Sequence, residues 1–214
     1  MKNATRLLTI LMLVMIVIPI MSSSVSAYDD SAAQVYADQY WYYHNTSNYR
    51  TFNANCTNFV SQCMYAGGVQ MDDTWRYNRT LLGLNDTWTY AWSVANSLKN
   101  YVKNDLHGLR LTNKWKKQSG HDNHGRPVYA YIDNSSNILG TGIEIVFYDW
   151  TDDGTIDHSS IIVGTGTCYE GSGISGTYGD LINQNTTDRA HVIWHLDCFN
   201  THRDTTAIYC FRLS

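Results

Sequence analysis

Beyond Gly142 the hydrophobic period of this chain changes, and that change restricts the fold more than any single motif. Upstream, apolar residues recur every three and four positions. Ala33, Tyr36, Ala37, Tyr40 and Tyr43 follow an Asp29-Asp30-Ser31 cap and predict a first helix to about His44. Phe59, Val60, Cys63, Met64 and Ala66 predict a second, stopped by Gly67-Gly68, and Ala91, Val94, Ala95, Leu98, Tyr101, Val102 and Leu106 predict a third. Downstream, the β-rich run Ile143 to Tyr148 and the apolar Ile161 to Val163 flank a turn at Asp149 to Asp157 and read as a hairpin. Short strands follow at 178–184, 192–194 and 207–213, and Val128 to Ile132 is the one strand-like piece of the polar segment 107–140. Helices first and strands later predict an α+β fold, with an antiparallel sheet packed against the second helix.

The chain has 214 residues. Met1-Lys2 and Arg6, the apolar run Leu7 to Met21 and Val25-Ser26-Ala27 make residues 1–27 a signal peptide cleaved after Ala27. The run is about 15 residues, short of the ~20 that a spanning helix needs, so no membrane association is expected after cleavage. The alternative is an uncleaved anchor that tethers the domain outside the cell. Residues 28–214 suit a single domain with a sizeable core. Removing Lys2 and Arg6 takes the net charge from −4 to −6, a poor balance for binding nucleic acid. The 16 Tyr and 7 Trp can line a sugar or peptide groove, but such aromatics more often serve core and surface packing.

Cys56 opens the second helix, with Asn55 at or beside the cap. Free N–H groups and the positive end of the helix dipole favour a thiolate there, although a buried cysteine is as often structural. The cysteines are Cys56, Cys63, Cys168, Cys198 and Cys210, an odd number, which in an exported protein leaves at least one thiol unpaired. Cys56 and Cys63 would lie about 10 Å apart along the helix at 1.5 Å per residue, beyond the ~7 Å limit for a disulfide. Cys198 and Cys210, across a turn at 200–206, are the expected pair, with Cys168 the competitor.

A thiolate nucleophile needs a base in hydrogen-bond reach and a third polar group to orient that base. Papain-like hydrolases take the base from a histidine at the start of a sheet strand and the third group from the neighbouring strand. Of eight histidines, His158 fits best, since it follows the turn 149–157 and leads into Ser159 to Val163. His121 and His124 read as solvated loop residues, because further ligands for a metal are not evident nearby. In the turn itself Asp149, Thr151, Asp153, Gly154 and Asp157 occupy the first, third, fifth, sixth and ninth places of an EF-hand-like calcium loop. Ser160 stands where the bidentate glutamate belongs and the flanks read as strands, so a turn whose carboxylates cap backbone N–H groups is the competing reading.

At these residues the chain resembles the putative amidase domain of secreted bacterial proteins, a relative of NlpC-type and CHAP-type papain-like amidohydrolases. The resemblance is carried by Tyr36 to Trp41, Cys56 to Cys63 through Gly68, Trp92-Ser93-Val94, Tyr148 to Ser159 and Asn185 to Arg189. It implies a papain-like fold, with a nucleophile at Cys56 and a base at His158. In the last block the family usually has a histidine where this chain has Asn185. An Asn carbonyl can accept from the ring N–H, so Asn185 is the expected third residue, with Asn183 the fallback. The implied chemistry is acyl transfer without a required cofactor, using the Cys56 backbone N–H as one oxyanion donor. Gln62 lies too far along the helix to be the second. The implied substrate is a peptide or peptidoglycan amide outside the cell or in its wall. A non-catalytic wall- or glycan-binding module and a toxin- or bacteriocin-processing cysteine protease are the alternatives.

Overall fold

The computed structural model describes residues 28–213 except 82, 107–109, 122–126, 132–138, 140–143, 169–175, 197–198 and 203–204, and describes 110–121 and 127–131 by backbone alone. The signal-peptide segment, His124 and Cys198 lie outside the described residues, as does the expected Cys198–Cys210 pairing. No helix among the described residues is long and apolar enough to cross a membrane.

The fold is α+β. Helices α1 (Asp30–Tyr40) and α2 (Cys56–Ala66) are followed by a two-stranded ribbon, β1 (Tyr77–Asn78) and β2 (Thr87–Trp88), and then by α3 (Tyr90–Ser93) and α4 (Ala95–Asn104). The main sheet comprises β3 (Arg110–His121), β4 (Pro127–Tyr131), β5 (Ile145–Asp149), β6 (His158–Cys168), β7 (Thr177–Gln184), β8 (Arg189–Ile193) and β9 (Ala207–Arg212). Its order is β4-β3-β9-β5-β6-β7-β8, and every neighbouring pair is antiparallel.

Helix α1 begins where its cap predicts, with the Asp29 carboxylate accepting from the Ala32 N–H at 3.0 Å. It ends at Tyr40, earlier than the periodicity implies, because Tyr43 faces solvent and the chain turns at His44, whose φ is +49°. The expected third helix is broken in two. Val94 adopts an extended conformation (φ −119°, ψ 121°) and serves as both C-cap of α3 and N-cap of α4. At this break the Trp92 carbonyl accepts the Ser61 hydroxyl at 2.9 Å, tying α3 to α2.

Helix α2 stands where two core clusters meet. Phe59 and Cys63 join α1, Val146, Tyr148 and Ile161, whereas Val60 and Met64 join Trp75, Trp92, Leu98, Ile145 and Phe147. Successive residues of β5 thus feed different clusters, which explains its unbroken apolar run. Every residue of α2 from Cys56 to Met64 is buried, including the polar ones. Each of those has a partner: Asn58 accepts the Trp92 indole N–H at 2.7 Å, Ser61 accepts that of Trp75 at 3.0 Å, and Gln62 accepts the Tyr36 hydroxyl at 2.7 Å. The helix stops as its glycines predict. Gly68 has φ +95°, and a Cβ on Gly67 would stand 2.3 Å from the Tyr28 ring.

Candidate active site

The backbone ladder of α2 opens with the Phe59 N–H bonding to the Asn55 carbonyl at 2.9 Å, so the Cys56 N–H lies ahead of that ladder. The Asn55 side chain does not cap the helix. Its Nδ2 donates to Asn185 Oδ1 at 2.7 Å, its Oδ1 accepts from Phe52 N and Asn58 Nδ2, and its own N–H donates to Thr186 Oγ1 at 2.8 Å. The helix start is therefore pinned from several sides, with its dipole left to act on Cys56.

His158 is the first residue of β6, and α2 packs on that strand. The Thr57 and Ser159 hydroxyls share a hydrogen bond at 3.3 Å, which joins the start of the helix to the start of the strand. The two expected reactive residues come together here. Cys56 and His158 are each only 5% exposed, and they act on each other through charge and a hydrogen bond. Burial alone would raise the Cys56 thiol. The His158 charge and hydrogen bond outweigh burial, with help from Thr57 and the Ser159 backbone, and bring the thiol down to about 6. For His158, burial disfavours the charged ring, but the Cys56 charge and hydrogen bond and a further bond from Gln184 raise its pKa overall.

The third residue differs from the expectation. His158 Nε2 lies 3.0 Å from Gln184 Oε1, not against Asn185 or Asn183. Gln184 Nε2 donates to the Thr187 carbonyl at 2.8 Å, which turns its Oε1 toward the ring. His158 Nε2 is then the donor, and Nδ1 is the nitrogen left for the thiol. Strand parity explains the difference. Asn183 pairs with Ile161, so alternation puts Gln184 on the face that carries His158 and Ser160, and Asn183 and Asn185 on the other. Asn183 donates to Asp38 at 2.8 Å and accepts from the His191 N–H, while Asn185 donates to the Trp41 carbonyl and accepts from Asn55. Asn185 thus bears on the start of α2 instead of on His158. The signal for Gln184 was its place in a predicted strand beside an amide-rich run, but only the register assigns its face.

Cys56, His158 and Gln184 line a cleft of about 310 Å³, together with Trp150, Arg189 and Phe199. Trp150 stacks on the imidazole, with ring centroids 5.6 Å apart and planes at 22°. Its backbone N–H donates to Asp157 Oδ2 at 2.8 Å, so the turn braces the wall of the cleft.

The other oxygens of that turn are also directed at the chain. Buried Asp149 accepts from the N–H groups of Asp153 and Gly154 at 3.1 and 2.8 Å. Asp153 accepts from the Thr155 N–H at 2.8 Å and from the Thr155 and Thr151 hydroxyls, bonds that hold its carboxyl below the usual range. Among the described residues, no group of three or more His, Cys, Asp or Glu is arranged to hold a metal ion. Asp149, Asp153 and Asp157 cap backbone N–H groups of the turn, and Thr151 lies against Asp153.

Cys63, fully buried one face away from the site, keeps a free thiol raised well above its ordinary value by burial. Gln62 points toward α1 and its oxygen is taken by Tyr36, away from the cleft. His121 lies at the end of β3, and its side chain is not described.

The site thus sets a cysteine at a helix start against a histidine at a strand start on an α+β fold. Residues 27–210 match the family model described as a putative amidase domain, and the chain belongs to that family. A Bacillus subtilis (strain 168) protein described as "Uncharacterized protein YhbB" is 32% identical over 136 residues, covering 64% of this chain and 37% of the relative. The chain therefore spans little more than a third of that protein's length. No solved structure matches it.

Proposed function

We propose that this chain is an exported, papain-like cysteine amidohydrolase that cleaves peptide or amide bonds of cell-wall peptidoglycan. The observation that carries the reading is a thiol lowered to about 6 in spite of burial, by a histidine that a strand amide orients. A purely structural cysteine resembles Cys63, with its proton held tightly. The basic N-terminal residues Lys2 and Arg6 and the apolar run after them support export, and family membership supports the amide bond.

In this reading Cys56 Sγ attacks the amide carbonyl and forms a C–S bond. The Cys56 N–H sits at the helix start to receive the oxyanion, and one such donor is worth on the order of 10²–10³ in rate. His158 Nδ1 gives its proton to the amine as the C–N bond breaks. Neutral His158 then takes a proton from water, which attacks the thioester, releases the acid and restores the pair. Gln184 holds the ring in the tautomer both steps need. No cofactor enters the cycle.

The test is incubation with purified peptidoglycan and mass analysis of the products, beside Cys56→Ala. The expected result is release of fragments with new amine and carboxyl ends by the wild type only. Turnover undiminished in Cys56→Ala would overturn the cysteine mechanism. Cleavage of simple peptide amides but not peptidoglycan would overturn the wall substrate.

A further inference from the structure

Among the described residues that line the cleft, Arg189 is a cation that this chemistry does not use. Arg189 opens β8 and pairs across the strands with Gln184, the residue that bonds His158, so the two side chains stand on one face about 5 Å apart at their roots. Its guanidinium carbon lies 4.3 Å from the centroid of the Phe199 ring. This cation–π contact fixes the group beside the cleft, and its planar fork of N–H donors suits an acceptor in the plane. Neighbouring carboxylates are engaged elsewhere. Asp188 pairs with His44 at 3.1 Å, Asp38 pairs with His191 at 2.9 Å, and Asp157 Oδ2 in the cleft is turned onto the Trp150 N–H. Among the described residues no carboxylate pairs with Arg189. The guanidinium is close enough to oppose the charge on His158, so it sits within electrostatic reach of the reacting groups.

We propose that Arg189 anchors a carboxylate of the substrate, so that the amide cleaved belongs to an acidic acyl or amine component. A planar guanidinium held by an aromatic ring beside a thiolate matches a carboxylate through two parallel hydrogen bonds, which a neutral amide cannot reproduce. The inference rests on the cysteine amidohydrolase reading and adds the substrate's charge to it.

Two alkylating agents of nearly equal size test it, since iodoacetate carries a carboxylate where iodoacetamide carries an amide. In both, the Cys56 thiolate forms a C–S bond as iodide leaves. The readout is the ratio of the two labelling rates at Cys56, followed by mass at neutral pH, in the wild type, Arg189→Gln and Arg189→Lys. The ratio should fall at least about tenfold in Arg189→Gln, the scale of one hydrogen bond to a charged group, and recover in part in Arg189→Lys. Arg189→Met, which keeps the packing on Phe199, replaces the Gln variant if that variant does not fold. A ratio equal in all the proteins overturns the anchor while leaving a reactive Cys56 intact. Failure of both reagents to label Cys56 in the folded wild type overturns the hydrolase reading and this inference together.

Discussion

Gln184→Leu removes the acceptor of the His158 Nε2–H while keeping similar bulk in a buried strand position. The lost bond is 3.0 Å long and supports a ring that is charged when paired with the thiolate. A hydrogen bond to a charged group is worth about 1.5–3 kcal/mol, so kcat/KM should fall roughly 10- to 150-fold. The pH profile carries a more specific signature. The Gln184 bond raises His158, so its loss lowers the pKa of the ring; with a weaker partner the Cys56 thiol then rises above about 6. Activity needs thiolate and imidazolium together, which exist between those two values, so the active window narrows from both sides. Iodoacetamide labelling of Cys56 across pH reads the lower edge, and kcat/KM on a peptide amide reads both. Gln184→Glu should keep an acceptor for Nε2 and hold the ring's pKa up, while losing the donation to the Thr187 carbonyl. Asn185→Ala should lower the melting temperature by releasing Asn55, and leave the labelling midpoint in place. A midpoint unmoved in Gln184→Leu and displaced in Asn185→Ala would refute the assignment.

His158→Ala should cut turnover by roughly 10²–10⁴ and return the Cys56 labelling midpoint to well above 6, read by the same pH series. Buried Glu144, which bonds the Leu213 N–H, is raised to about 8 chiefly by burial. The folded state therefore binds the proton more tightly than the unfolded chain. Stability from this group is full below about pH 4.5 and is lost as pH rises through about 8, at up to about 1.4 kcal/mol per pH unit. Denaturant melts of Glu144→Gln should lack that slope, and an identical slope in the variant would discard the account. Calcium titration of EDTA-treated protein should give neither heat nor a rise in melting temperature at millimolar calcium, since the oxygens of Asp149 and Asp153 accept bonds within the turn. A calcium-dependent rise would establish the cation site.

What the sequence made legible was whatever the local chain decides. Cys56 at a helix start and His158 at a strand start are both consequences of nearest neighbours: a cap, a glycine stop, an acidic turn and a β-rich run. Their meeting follows from α2 packing on β6. Gln184 was not legible, because a strand alternates its faces and a shift of one residue exchanges 184 for 183 or 185. The pairing of Asn183 with Ile161 is a long-range fact. The same holds for Val94, whose extended conformation breaks a periodic helix where Ser61, far away in sequence, bonds the Trp92 carbonyl. Strand β3 was hidden for another reason. Its residues are mostly polar, and it is defined by backbone pairing with β4 and β9, which leaves no period in the sequence.

The segment 184–189 explains why Cys56 and His158, more than a hundred residues apart, stay in register. Gln184 orients the ring, the Thr187 carbonyl fixes the Gln184 amide, and Asn185 and Thr186 hold Asn55 just ahead of Cys56. These bonds are buried or partly buried, where an unsatisfied donor costs about 1–3 kcal/mol. Displacing the segment would therefore disturb both halves of the pair at once, and effects of substitutions within it should not add. Arg189 follows on the strand that this segment opens, so the group proposed to anchor the substrate is set by the same bonds that set the chemistry.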